Sequence, residues 1–264
     1  MLWGSKSVSP VTTVPASKGW GLSASTLKIL ACMTMVIDHL GVLIFTDSIV
    51  LRYIGRLAFP IFAYFIAEGC RYTRNKLKRF LLVFGLGLIC EAAYLIYDGE
   101  PDGGILMTFS LSILLIYQVQ ALKAALAQRK WGRTALWSLL LAASLAAVYG
   151  LIEHVLYVDY GFWGVLIPVW TALPDYAEGK APSCFRYLSN RPVKLTLCAL
   201  GMLLLCASRG LFTNLQSWCL LALPLLALYN GEPGRKGFKY GFYIFYPAHL
   251  LAIYLLKVVL DAAG

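Results

Sequence analysis

The sequence predicts an all-α, polytopic membrane helix bundle of about nine transmembrane helices, with room for a tenth, and with its N-terminus in the cytoplasm. Three observations carry that prediction. The 264-residue chain is 59% hydrophobic and only 14% charged, with a mean hydropathy of +0.71. A soluble domain carries about a quarter charged residues and about half apolar ones, so the surplus apolar surface belongs in lipid. Its apolar residues fall into runs near the ~20 residues that cross a bilayer core. Finally, the connections between those runs alternate between basic and neutral or acidic.

The runs, taken in order, are 26–46, 49–68, 79–97, 104–125, 134–152, 160–174, 193–207, 210–228 and 240–260. The first, "TLKILACMTMVIDHLGVLIF", is too long for a signal-peptide core and lacks a small-residue cleavage site, so it reads as a retained span. The sixth is short, which suits a tilted, broken or partly spanning segment. "CRYTRNKLKR" follows the second run, "QRKWGR" the fourth, "KAPSCFRYLSNRPVK" the sixth and "GRKGFK" the eighth. The opposite connections read "TDS", "DGEPDGG", "EHVLYVD" and "SRG". Cytoplasmic loops collect Lys and Arg, so this alternation places the N-terminus inside. The net charge of +10 is thereby a topology signal. A nucleic-acid surface would not alternate with the loops, and no nucleic acid is expected as a partner. Residues 1–22, rich in Ser, Pro, Val and Lys, read as a cytoplasmic tail, and 23–264 as one membrane domain without linker or internal repeat.

Seven cysteines are scattered, five of them (Cys32, Cys90, Cys198, Cys206 and Cys219) within apolar runs. With no CxxC pair and no Cys/His cluster at zinc spacing, neither a disulfide framework nor a metal is expected.

Ionisable residues at membrane depth are costly and mark functional sites or paired staples. "MVIDHLG" sets Asp38 beside His39, about nine residues before the turn at Ser48. At 1.5 Å per residue that is roughly 13 Å deep, near the bilayer midplane. Arg56 follows the same turn by about eight residues on the next, antiparallel span, which brings it level with them. Neighbours on a helix diverge by about 100°, so with His39 turned inward Asp38 faces Arg56 rather than its own neighbour. In the last span, "KYGFYIFYPAHLLAIYLLK", His249 lies about nine residues from the inner edge, again roughly midplane. Pro247 frees the carbonyl of Tyr243, and Pro60 frees that of Arg56. Free backbone at this depth is tolerated where it lines a cavity, so two prolines beside two polar sites indicate a pocket bounded by spans one, two and nine. Glu91 and Glu68, toward the outer and inner edges, are further candidates for binding substrate or cofactor. Glu153, His154, Asp159 and Tyr160 form a candidate outer rim.

The chain contains no HExxH, no GxSxG elbow and no Walker loop. A histidine-centred site beside a basic surface suits acyl transfer, with His as general base for an amine or hydroxyl and Arg or polar groups for the oxyanion. His39 is the candidate base, with Asp38 and Arg56 setting the charge of the pocket. His249 and Tyr246 are candidates to orient thioester or acceptor, with Tyr243 nearby. Arg71, Arg74, Lys76 and Arg79 are candidates for the phosphates of a CoA donor.

"LSASTLKILACMTMVIDHLG", "LRYIGRLAFPIFAYFIAEGCRYTRN", "MTFSLSILLIY", "DYGFWGVLIP" and "FYIFYPAHLLAIYLL" together resemble the TraX family, over about residues 22–257. Its founding member is implicated in N-acetylation of a conjugative pilin subunit, and the family looks distantly related to transmembrane acyltransferases of the acyltransferase-3 group. The resemblance implies an acetyl-CoA-dependent N- or O-acetyltransferase of the bacterial cytoplasmic (inner) membrane, free of metal. Its acceptor would be a peptide or a glycan, its surroundings membrane lipid, and an oligomer is compatible with it. Asp38 and His39 match the family motif of the first span, Arg56 that of the second and His249 that of the last. A transporter using the midplane charges is the alternative, although paired repeats with matching broken helices are missing. A scaffold without chemistry would leave the gathered ionisable groups unexplained.

Overall fold

A computed structural model describes residues 20–99, 103–175, 190–211, 214–234 and 241–263. Most of the tail 1–22, the first ten residues of "KAPSCFRYLSNRPVK" and most of "GRKGFK" lie outside the described residues. Among the described residues the chain forms ten α-helices and one 3-10 segment. These are α1 Ala24–Leu43, α2 Ile49–Gly55, α3 Ala58–Tyr72, α4 Lys76–Asp98, α5 Ile105–Ala127, α6 Trp131–His154, α7 Gly161–Ala172, α8 Arg191–Ser208, the 3-10 segment Leu215–Leu221, α9 Ala222–Ala227 and α10 Gly241–Ala263. No strand occurs among them, and a single bridge pairs Leu22 with Tyr229. Seven helical stretches are long and apolar enough to cross a membrane, α2 and α3 counting as one. The chain is a multi-pass helical membrane protein.

The helix ends follow local side-chain chemistry. Ser23, Asn75 and Asn190 accept bonds from the backbone N–H groups of Thr26, Lys78 and Val193, capping α1, α4 and α8. Gly99, at φ 79°, ends α4 in the left-handed conformation that glycine adopts without a Cβ penalty. The second predicted span is two helices. Pro60 cannot donate to the carbonyl of Arg56, and Leu57 N–H turns to Ile54 at 3.2 Å, a 3-10 step between α2 and α3.

The sixth and eighth predicted spans are short. α7 has 12 residues, and the 3-10 segment with α9 runs only from Leu215 to Ala227. At 1.5 Å per residue α7 is roughly 18 Å long, well under a ~30 Å hydrocarbon core. Both nevertheless sit between the same two ends as their neighbours. At the end carrying the basic run 71–79, hereafter the inner end, Lys194 of α8 reaches Glu68 of α3 at 2.5 Å and Asp175 after α7 at 2.7 Å. Arg71 joins Asp175 at 3.4 Å, and Lys123 of α5 donates to the carbonyls of Leu173 and Asp175. At the outer end Asp159, just before α7, bonds Gly103, just before α5.

The core lies between α3, α5, α7 and α8, where Phe59, Ile61, Ile113, Ile116, Ile167, Met202 and Leu205 are completely enclosed. Lipid tails are as apolar as leucine, so helices associate here through close packing and hydroxyl bonds rather than through a hydrophobic drive. Gly164 lies under the Tyr160 ring and Gly201 against Ile167. Ser112 Oγ donates to the α7 carbonyl of Val165 at 2.7 Å, and Thr108 Oγ1 to that of Asp159 at 2.8 Å. By contrast α6 fully buries only Val148, packs Leu141, Leu145 and Ile152 against the bundle, and leaves most of its surface exposed, as a lipid-facing helix does. Cys206 and Cys219 meet as free thiols with sulfurs 3.7 Å apart.

Candidate functional site: a histidine pair between two cavities

One face of α1 sets the frame. Lys28, Cys32, Met35 and His39 recur at four- and three-residue intervals, so they line up along a single stripe. α10 packs beside α1 and presents Tyr246, His249 and Ile253 at the same spacing. The imidazoles of His39 and His249 meet edge to face, with centroids 5.0 Å apart. Both rings are tied to their own helix one turn back, Nδ1 of His39 to the Met35 carbonyl at 2.8 Å and Nδ1 of His249 to that of Phe245 at 2.9 Å. A carbonyl only accepts, so each Nδ1 carries the hydrogen. In each neutral ring the basic lone pair is then on Nε2. His249 Nε2 is buried without a hydrogen-bond partner among the described residues. Phe245 stacks on the His249 ring at 4.7 Å, and the Tyr246 ring stands 5.5 Å away.

Asp38 points away from His39 toward α2. Arg56 Nη2 donates to both carboxylate oxygens at 3.1 Å, and Arg52 Nη1 adds a third contact at 3.0 Å. Gly55 makes this possible, because a Cβ there would fall 2.2 Å from the Asp38 side chain. Arg56 also lies against the Tyr160 ring, which stacks on Phe59 with centroids 3.8 Å apart. Tyr160 is held at φ 65°, an uncommon left-handed conformation for a non-glycine residue.

Two cavities flank this centre. The outer one, of about 550 Å³, is walled by Asp38, His39, Arg52, Arg56, Asp159 and Tyr160, together with Arg209 and Gln216. The inner one, of about 1000 Å³, runs between α1, α3, α4 and α10. Its wall is mainly apolar and aromatic, including Phe62, Phe65, Phe109 and Tyr243, while Lys28, Arg74, Lys78 and Arg79 gather with Glu68 toward the inner end. Lys28 Nζ sits over the rings of Phe65 and Phe242. Arg79 lies flat on α3, donating to Thr73 Oγ1 and the Ile66 carbonyl, a position that Gly69 leaves open. Three residues, Met35, Ile105 and Tyr246, face both cavities.

The structure thus brings Asp38, His39, Arg56, Tyr246 and His249 to one centre, and places Tyr243, Glu68, Arg74 and Arg79 on the inner cavity. It places Arg71 and Lys76 elsewhere: Arg71 faces Asp175, and the Lys76 ammonium lies over the Tyr117 ring. Glu91 is at the outer end, accepting from the N–H groups of Gly103 and Gly104 at 2.9 and 2.6 Å, where it caps the entry to α5. Of the expected outer rim, Asp159 and Tyr160 line the cavity and Glu153 and His154 do not. Arg52, Lys28 and Lys78 were not singled out from the sequence. Arg52 stands one turn before Arg56, and Lys28 lies on the His39 stripe, so helical spacing alone could have found both. No cluster of metal-ligating side chains occurs among the described residues.

Chemically, the centre offers imidazole bases, a paired carboxylate and arginines, reached by one polar cavity and one apolar cavity with a cationic mouth. Among known proteins, the probable fimbrial assembly protein FimC, serogroup H1, of Dichelobacter nodosus is 28% identical over 93% of this chain and 100% of its own. The uncharacterized protein RP591 of Rickettsia prowazekii (strain Madrid E) is 44% identical over 60 residues, 23% of each chain. No solved structure matches significantly. Residues 23–257, nearly all of the membrane domain, match the TraX protein family, and the chain belongs to it.

Proposed function

We propose that this protein is an acetyltransferase of the bacterial inner membrane, moving an acetyl group from acetyl-CoA to an amine or hydroxyl acceptor. The observation that carries the reading is the meeting of two cavities from opposite ends of the bundle at Met35, Ile105 and Tyr246, beside His39, which lines the outer cavity, and its ring neighbour His249. The inner cavity suits the donor. Its four cations match the polyphosphate end of CoA, and its long apolar wall matches the pantetheine arm that would carry the thioester to Tyr246. The outer cavity suits the acceptor, being polar, smaller and open at the opposite end. The FimC relative's printed name, together with the link between the TraX family and pilin modification, favours a pilin-type peptide as that acceptor.

In the reaction, His39 Nε2 takes the proton from the acceptor as its N or O attacks the thioester carbonyl. The oxyanion forms beside the Tyr246 hydroxyl. The C–S bond then breaks, the thiolate leaves with the proton returned from His39, and the products are acetylated acceptor and free CoA. Asp38 is committed to two arginines, so it anchors α1 to α2 and fixes the charge beside the imidazole rather than exchanging protons with it.

The test uses purified protein, labelled acetyl-CoA and a panel of peptide N-termini and amino sugars, comparing wild type with His39→Ala. Transfer by wild type and its loss by about 10²–10⁴-fold in the variant is the expected result for a general base. Equal transfer by both would overturn the assignment of His39. Two cavities separated by a thin barrier are also the arrangement of a carrier, so transport is the second reading. It predicts solute flux into liposomes without consumption of CoA.

A further inference from the structure

We infer that, until an acceptor is seated, Met35, Ile105 and Tyr246 form a one-side-chain-thick septum whose role is to keep water of the outer cavity from the thioester, so that these residues decide between transfer and hydrolysis. The inference rests on the acetyltransferase reading and adds a specificity determinant to it. Each of the three lines both cavities, so at this level the barrier between them is a single side chain deep. All three are nearly enclosed, at 6%, 6% and 7% exposure, although each borders open space on two sides. They come from three helices, α1, α5 and α10.

The chemistry makes such a barrier necessary. The outer cavity is polar and large enough to hold many waters, each taking about 30 Å³ in the liquid. His39 lines that cavity, and a base able to activate an acceptor amine activates water equally well. Unchecked, acetyl-CoA and water would give acetate and free CoA, the water oxygen forming the new C–O bond as the C–S bond breaks and the proton passes to the thiolate. Excluding water from a reactive acyl group is a recognised function of closed sites. Two of the three septum residues are wholly apolar in their reach, Met35 through a thioether and Ile105 through a branched alkyl group. Tyr246 turns its hydroxyl toward Gly104, 3.0 Å from where a Cβ would sit, and Glu91 Oε1 lies 3.5 Å from that same point. A dry, sealed contact between the two cavities also prevents the site from acting as a proton leak across the membrane.

The experiment opens the septum without touching the imidazoles. Met35→Ala removes three heavy atoms beyond Cβ, space enough for a water, and Ile105→Ala does the same from the neighbouring helix. Met35→Leu, a volume-conserving exchange, is the control. Two readouts are taken on purified full-length protein, acceptor-independent acetate release from labelled acetyl-CoA and proton permeability of proteoliposomes carrying a pH dye. Met35→Ala and Ile105→Ala are expected to raise hydrolysis at least about tenfold relative to wild type and to raise proton permeability, with Met35→Leu near wild type in both. The septum idea is overturned if both alanine variants, shown to be folded by unchanged elution and helicity, leave hydrolysis and permeability at wild-type levels. Failure of the acetyltransferase reading looks different: wild type and every variant then release no acetate, while the permeability arm still reports whether the septum seals.

Discussion

Removing Arg56 should destabilise the protein less than removing the carboxylate it holds. Asp38 accepts two bonds from Arg56 and one from Arg52, all within 3.1 Å, with the Asp38 and Arg56 side chains 15% and 12% exposed. Hydrogen bonds to charged groups contribute about 1.5–3 kcal/mol. Arg56→Ala leaves Asp38 facing Arg52, whose side chain is 27% exposed, so the residual pairing is only partly screened. The expected loss is about 2–3 kcal/mol. Asp38→Ala instead leaves two guanidinium groups facing each other at membrane depth, and stranding buried charge costs about 3–5 kcal/mol. Because the partners touch, the double variant should fall short of the sum by at least about 1 kcal/mol. The measurement is reversible unfolding in bicelles by steric trapping, with helicity checked by circular dichroism. Equal losses in the two single variants, adding in the double, would refute the idea that Asp38 is held jointly by both arginines.

Other perturbations read other parts of the fold. Gly55→Ala should lower the thermal midpoint markedly, since its Cβ would overlap the Asp38 side chain; an unchanged midpoint would show that α1 and α2 pack less closely than described. Lys194→Met should destabilise by about 3 kcal/mol or more by stranding Glu68 and Asp175 together, and Glu68→Gln should recover part of that loss in the same unfolding assay. Glu91→Gln should cost about 1 kcal/mol by weakening the cap on Gly103 and Gly104, with acetyl-CoA binding unaltered in an equilibrium titration. Gly69→Ala should displace the Arg79 guanidinium and weaken CoA binding, whereas Lys76→Ala, at a residue off the cavity, should not.

The bundle and the pairing at its centre were legible because membrane chemistry restricts them so tightly. Ionisable side chains at midplane need partners, and the depth ruler set Asp38 level with Arg56, where the two now bond. The break in the second span was readable from Pro60. What eluded the sequence was azimuth, the direction each helix faces. The basic run 71–79 looks uniform as a string, yet α3 and the start of α4 turn Arg74 and Arg79 to the inner cavity while Arg71 and Lys76 face other helices. Glu91 reads as a polar residue near a site but caps a loop that closes back in space. The outer cavity draws its wall from α1, α2 and the starts of two short segments, a gathering that is visible only once their neighbours are placed.

A structure of the purified protein with acetyl-CoA tests the central claim most directly. The CoA phosphates are expected among Lys28, Arg74, Lys78 and Arg79, with the pantetheine arm threading the inner cavity and the thioester ending at Tyr246, beside the His39–His249 pair. A donor seated in the outer cavity, or a thioester that ends away from both imidazoles, would contradict it.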